Sequence, residues 1–184
     1  MSHTYNIDDL RYLMSRLRDS DTGCPWDIKQ TFKTIAPFTV EEVYEVVDAV
    51  ERGDTEHLSE ELGDLLFQII FYSQLGAEDT VFDWDIIVSG ITEKLIRRHP
   101  HVFPDGTLQS VRSPDLVFDV KAINKQWEET KKRERAGKGE DGVLADIPLA
   151  MPALNRAQKL QKRASSVGFD WTDLKGVLAK VKEE

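Results

Sequence analysis

Two short acidic segments hold the residues best suited to chemistry in this chain. Residues 41–45 read Glu-Glu-Val-Tyr-Glu, and residues 61–64 read Glu-Leu-Gly-Asp. Each segment holds two carboxylates three residues apart, which on an α-helix point the same way, roughly 5 Å apart. Like charges at that spacing repel each other, which favours a bound cation. Two facing helices of this kind would form a four-carboxylate cage, the all-oxygen environment that Mg²⁺ and Mn²⁺ prefer.

A solvated helix face is the alternative explanation of these segments, because glutamate is a good helix former and most glutamate clusters lie in water. Two observations favour a site. The segments lack lysine partners four residues along, and neighbouring valines such as Val43 and Val47 suit a buried face. At about 100° per residue, Glu42 and Glu61 lie at the edges of the apolar stripes of their helices. Antiparallel pairing of the two helices would bring these edges together.

The elements that must position these residues are predicted to be helices. After a short helical turn at 31–36, one acidic helix is predicted from Pro37 to about Arg52, and the other from about Glu56 to Gly76. Gly53 is expected to end the first helix, and Asp54 or Thr55 to cap the second. The second acidic helix is expected to bury Leu58, Leu62, Leu65, Leu66, Ile69 and Ile70. Further helices are predicted at about 7–18, 83–98, 115–135, 149–164 and from 170 onward.

A basic and aromatic complement follows later in the chain. Lys94 and Arg98 are four residues apart on a predicted helix and could hold the phosphates of an anion. Trp127 and Lys131 repeat this spacing, which would suit stacking on a base or sugar together with a phosphate contact. The alternatives are a solvated helix end for the first pair and a packing anchor for Trp127.

Composition narrows the class of protein. The 184 residues are enough for one ordinary core, and the net charge of −9 argues against a general binder of nucleic acid or of membrane surfaces. Cys24 is the only cysteine, so an intrachain disulfide is impossible and a reducing compartment fits. With no membrane-spanning apolar run and no signal-like N-terminus, the sequence predicts a cytoplasmic protein.

Four segments, in this order, closely resemble MazG-type nucleoside triphosphate pyrophosphohydrolases. They are Gly23–Asp27, residues 41–45, residues 61–64 and Arg97–Phe103, the last reading Arg-Arg-His-Pro-His-Val-Phe. The hallmark of that family is Glu-Glu-x-x-Glu followed, after a helical spacer, by Glu-x-x-Asp. Here fifteen residues separate the two halves. The resemblance covers nearly the whole chain.

The resemblance implies an all-α fold, a bundle of antiparallel helix pairs that associates into a homodimer. It also implies Mg²⁺-dependent hydrolysis of nucleoside triphosphates to monophosphate and pyrophosphate, with Mn²⁺ as a second candidate cation. The implied metal ligands are Glu42, Glu45, Glu61 and Asp64. Glu41 would orient or deprotonate the attacking water. The positions that match nucleotide contacts are Lys94, Arg98, Trp127 and Lys131.

Long members of the family hold two copies of the domain, and this chain resembles the first copy plus its connector. We therefore predict a MazG-like domain at residues 1–135, and a connector with the start of a second, missing copy at residues 136–184. Lysines found near the metal helices of active copies are replaced here by Phe38 and His57. One alternative is thus a weak or inactive half that serves dimerisation or regulation. A narrower one is an enzyme confined to one substrate, such as dUTP or phosphoribosyl-ATP.

Overall fold

The computed structural model describes residues 4–115, 119–137, 142–171 and 173–183, and the regular structure of these residues is entirely α-helical. The all-α prediction is therefore confirmed. The helices are α1 (Ile7–Leu17), α2 (Pro25–Ile28), α3 (Phe32–Arg52), α4 (Thr55–Glu78), α5 (Trp84–Arg98), α6 (Val120–Gly137), α7 (Ala153–Ser165) and α8 (Leu174–Glu183). Among the described residues, none of the helices combines the length and apolarity that a membrane crossing needs.

The chain divides into two compact units, Met1–Leu95 and Ile96–Glu184. This division falls near the end of α5, whereas the domain boundary expected after residue 135 falls within α6. The domain boundary predicted after residue 135 marks the end of the MazG-like segment of the sequence, and it remains a prediction.

The core of the first unit lies where α4 packs against α1 and α3. Its fully buried members come from all three helices: Met14, Ile35, Ile70, Phe71 and Leu75. Arg18 closes one end of this core. Its guanidinium donates to the carboxylate of Glu78 at the end of α4, and to the backbone carbonyl of Asp27 in α2. Arg18, which follows the last residue of α1, thus holds α2 and the end of α4 against the first helix.

The helix break predicted before Pro37 is wrong, because α3 runs without interruption from Phe32 to Arg52. Thr31 caps the helix, accepting a hydrogen bond of 3.3 Å from the backbone N–H of Thr34. Ile35 is only 1% exposed and anchors this first turn in the core. Proline within a helix removes one backbone hydrogen bond. The buried Ile35 and the remaining backbone hydrogen bonds of this 21-residue helix compensate for that loss, so the helix continues through Pro37.

The turn between α3 and α4 forms as predicted. Gly53 adopts the left-handed conformation (φ 68°), which a glycine accepts without steric cost. Asp54 then caps α4, its carboxylate accepting from the backbone N–H of His57 at 3.1 Å. The two acidic helices therefore follow one another closely and pack side by side.

Several apolar residues of α3 and α4 lie outside this core. On α4, Leu62 is 49% exposed and Ile69 38% exposed, so their predicted burial is wrong within one chain. On α3, the exposed residues form a stripe that we call the valine face: Val40 (55% exposed), Val43 (44%), Val47 (46%) and Val50 (57%). The helix α1 packs against α4.

Candidate metal centre and basic cluster

Three carboxylates meet between α3 and α4. Glu42, Glu45 and Glu61 each offer one oxygen, and these three oxygens all lie within 4.8 Å of one another. Glu42 and Glu45 share one face of α3 because they are three residues apart. The tight turn at Gly53 sets the register that places Glu61 of α4 beside them. The structure thus brings together three of the four residues predicted as metal ligands.

Crowding and burial oppose ionisation at this centre. The pKa of Glu42 is raised, first by burial and then by the charges of Asp64 and Glu45. The pKa of Glu61 is raised by burial and by Glu45, although His57 acts in the opposite direction. Glu61 is only 8% exposed, which is uncommon for a glutamate. An arrangement that disfavours its own negative charge is one that a cation would stabilise.

The other two predicted carboxylates lie at the margin of the centre. Asp64 is exposed and stands outside the group of three oxygens, yet it is close enough for its charge to act on Glu42 and Glu61. Glu41 is exposed and precedes Glu42 on α3. The three close oxygens suit a hard divalent cation such as Mg²⁺ or Mn²⁺.

His57 contacts this centre, a contribution that its sequence position alone did not reveal. Its Nε2 lies 3.1 Å from Oε1 of Glu61, one helical turn along α4, and its Nδ1 lies 3.7 Å from Oε2 of Glu60. A ring nitrogen that donates to a ligating carboxylate fixes the orientation of that carboxylate. The signal was available in the four-residue spacing from His57 to Glu61.

A basic cluster lies in the second unit, around the indole ring of Trp127. The guanidinium carbon of Arg98 lies 5.5 Å from the ring centroid, and Nζ of Lys131 lies 5.4 Å from it. His99 packs edge-on against the same ring at 4.8 Å between centroids. Three of the four predicted nucleotide contacts are therefore together. The fourth, Lys94, is half-buried one turn before Arg98 on α5 and belongs to the first unit.

Glu134 is the residue of this cluster that sequence reasoning missed. Its carboxylate accepts from two guanidinium groups, those of Arg97 at 2.8 Å and Arg98 at 2.5 Å. Hydrogen bonds from these two arginines lower the pKa of Glu134 to about 2. Its spacing of seven from Trp127 and three from Lys131 places all three on one face of α6. That spacing was a signal, but only the fold shows that the arginines of α5 reach it.

Comparison with known proteins shows which family this chain is similar to. Residues 30–103, which include all of α3 and α4, match the MazG nucleotide pyrophosphohydrolase domain. A nucleoside triphosphate pyrophosphohydrolase of Escherichia coli (strain K12) is 51% identical over 178 residues. A nucleoside triphosphate pyrophosphohydrolase/pyrophosphatase MazG of Thermotoga maritima is 40% identical over 178 residues. In both cases the match covers 97% of this chain and 64% of the relative's own length.

A solved structure shares the fold. The crystal structure of a MazG-related protein from Thermotoga maritima superposes with a TM-score of 0.54 at 25% sequence identity. The match covers 68% of this chain and 99% of that protein. The helical arrangement described above is therefore one that a known protein adopts.

Proposed function

We propose, from the match of residues 30–103 to the MazG nucleotide pyrophosphohydrolase domain, that this chain hydrolyses nucleoside triphosphates to nucleoside monophosphate and pyrophosphate, with Mg²⁺ as cofactor. The observation that carries the proposal is the meeting of Glu42, Glu45 and Glu61 within 4.8 Å, inside the matched residues. Relatives that match 97% of this chain bear the name of that activity. Because the chain spans 64% of their length, the activity of the chain itself is what must be tested.

In the proposed reaction, the carboxylate oxygens of Glu42, Glu45, Glu61 and Asp64 would hold the cation. When bound, Mg²⁺ or Mn²⁺ neutralises phosphate charge and lowers the pKa of a coordinated water. The exposed carboxylate of Glu41 accepts a proton from the attacking water. The water oxygen bonds to the α-phosphorus as the bond between that phosphorus and the oxygen bridging the α- and β-phosphates breaks. Pyrophosphate leaves with that bridging oxygen, and the nucleoside monophosphate remains.

We assign the substrate contacts to Arg98, Trp127, Lys131 and Lys94. Arginine and lysine would bind the phosphate oxygens by charge-assisted hydrogen bonds. The indole of Trp127 offers a flat surface for a base or sugar. Apart from this ring, no feature of the described residues selects one base over another. A substrate panel would reveal whether the enzyme is confined to one substrate, such as dUTP or phosphoribosyl-ATP.

We also propose that the protein forms a homodimer in the cytoplasm. The valine face supports the dimer, because four valines 44–57% exposed along one helix form an apolar stripe of the kind that marks interaction sites. Association through this stripe would bury it without changing the α1–α3–α4 core. A single cysteine, Cys24, supports a reducing compartment.

A second candidate is a weak or inactive half that serves dimerisation or regulation. His57 and Phe38 favour it, since they replace lysines expected near the metal helices. His57 is engaged with Glu61, and Phe38 packs edge-on against Trp26 at 5.7 Å between ring centroids. Neither side chain supplies a lysine's charge to a triphosphate.

Pyrophosphate release by this 184-residue chain separates the two candidates. The assay uses a panel of nucleoside triphosphates with and without Mg²⁺, beside light scattering to measure the mass in solution. Metal-dependent release with monophosphate as co-product supports the enzyme. A folded dimer that releases no pyrophosphate from any member of the panel would overturn the enzyme and leave the second candidate.

A further inference from the structure

Two arginines in the second unit share the carboxylate of Glu134, and each binds mainly one of its two oxygens, although Nε of Arg98 also reaches Oε1 at 3.5 Å. Oε1 of Glu134 accepts from Nε and Nη2 of Arg97 at 3.0 and 2.8 Å. Oε2 accepts from Nε and Nη2 of Arg98 at 3.1 and 2.5 Å. Each guanidinium therefore uses its Nε–Nη2 edge, and both groups are fixed in orientation as well as in position.

The two arginines lie in different surroundings. Arg98 lies over the face of Trp127, with its side chain 20% exposed. Arg97 is 56% exposed and lines a cavity of about 410 Å³ together with Arg133 and Thr130. Glu134 itself is 20% exposed and sits where both guanidinium groups can reach it.

The charges do not cancel at this carboxylate. Arg97 and Arg98 carry two positive charges against the one negative charge of Glu134, which stays ionised because its pKa is about 2. Nη1 of Arg98 makes no described hydrogen bond, so its donors remain for another acceptor. A guanidinium held by one edge and placed over an aromatic ring presents its remaining donors without losing further side-chain freedom when an anion binds.

We propose that Glu134 is a positioning residue for polyphosphate binding: it holds the guanidinium of Arg98 over Trp127 by its Nε–Nη2 edge, so that Nη1 is already ordered when a triphosphate arrives. The proposal rests on the proposed function for its substrate, a nucleoside triphosphate. It adds a residue that acts through Arg98 and does not itself touch the nucleotide.

The test compares Glu134→Gln and Glu134→Asp with Glu129→Gln, an equal loss of charge at an exposed residue of the same helix for which no contact is described. Two readouts are measured on the full chain: KM and kcat for nucleoside triphosphate hydrolysis, and the affinity for inorganic tripolyphosphate by calorimetry. Glu134→Gln is expected to raise KM and weaken tripolyphosphate binding about tenfold, with kcat changed much less. Glu134→Asp is expected to recover part of the loss, and Glu129→Gln to match the wild type.

Unchanged KM and unchanged tripolyphosphate affinity in Glu134→Gln would overturn the proposal. A lower KM would also overturn it, because Glu134 would then compete with the phosphates for the arginines. If Glu134→Gln fails to fold, the same comparison is made with Glu134→Asp alone. Wild-type protein that binds tripolyphosphate but releases no pyrophosphate would overturn the proposed function. The role of Glu134 would then be decided by the tripolyphosphate affinities of the variants alone.

Discussion

His57 and Glu61 face each other across one turn of α4, with Nε2 of the imidazole 3.1 Å from Oε1 of the carboxylate. Glu61 is 8% exposed, and its other neighbours at this centre are carboxylates, which raise its pKa. His57 is therefore the one group described at the centre whose charge acts to lower that pKa. The imidazole therefore contacts Glu61, a proposed metal ligand, without being a proposed ligand itself.

Removal of this imidazole should weaken metal binding. At pH 8, His57→Ala is expected to lower the affinity for Mg²⁺ about tenfold, because the Glu61 carboxylate loses the donor that orients it. His57→Gln, which retains an N–H donor, should lose less. Calorimetric titration with Mg²⁺ measures both. Equal affinity in His57→Ala and wild type would show that Glu61 is held by its surroundings alone.

Neutralising one carboxylate should separate catalysis from stability. Glu42→Gln is expected to abolish Mg²⁺-dependent pyrophosphate release and to remove the rise in melting temperature that Mg²⁺ produces. Helix content, measured by circular dichroism, should not change, and the metal-free protein should be no less stable because a repulsion is relieved. Glu51→Gln, on the exposed side of α3, is the matched control. Wild-type turnover in Glu42→Gln would show that Glu42 is not a required metal ligand.

The acidic groups should give opposite dependences of stability on pH. The pKa of Glu134 falls from 4.5 to about 2 on folding, so its stabilising effect is complete above pH 4.5 and is lost as the pH falls toward 2. The stability difference between wild type and Glu134→Gln should therefore shrink below pH 4.5, as measured by denaturant unfolding.

For Glu42 the sign is reversed, because its pKa is raised on folding. Its favourable contribution is complete below the ordinary glutamate pKa and is lost as the pH rises through the raised value. Without metal, Glu42→Gln should match the wild type in acid and gain relative stability as the pH rises. A constant difference across the titration, for either variant, would contradict the corresponding pKa shift.

The indole surface should contribute to binding more than to the chemical step. Trp127→Ala is expected to raise KM about tenfold at nearly constant kcat, since a base stacks equally on the ring in the ground and transition states. Trp171→Ala, a half-exposed tryptophan of the same unit, is the control. An unchanged KM would assign Trp127 to packing, the alternative that its sequence position also allowed.

The valine face should control association. Val47→Glu places a charge in the middle of the stripe and is expected to convert the dimer to a monomer at micromolar concentration, because a buried unpaired charge is costly. Val81→Glu, at an exposed valine between α4 and α5, should leave the mass unchanged. Size-exclusion chromatography with light scattering reads the result. A monomeric wild type would contradict the proposed dimer. A dimer that persists in Val47→Glu would show that its interface lies elsewhere.

Local physics explains what the sequence by itself determined. Helix periodicity, the left-handed glycine at Gly53 and the cap at Asp54 depend on neighbours within a few residues, so the two acidic helices and their tight turn could be predicted. The spacing of Glu42 and Glu45 placed them on one face for the same reason. The resemblance to the MazG family depended on the order of short segments along the chain.

Only the tertiary structure decided which distant groups meet. Asp64 follows Glu61 by one turn, yet the register of α3 against α4 leaves it outside the three close oxygens. Pro37 lies within a helix because burial of Ile35 outweighs the local preference for a break. The pairing of Glu134 with Arg97 and Arg98 spans more than thirty residues of chain. The valine face is exposed although its periodicity predicted a buried stripe. Such contacts are set by how whole helices pack, which no local spacing encodes.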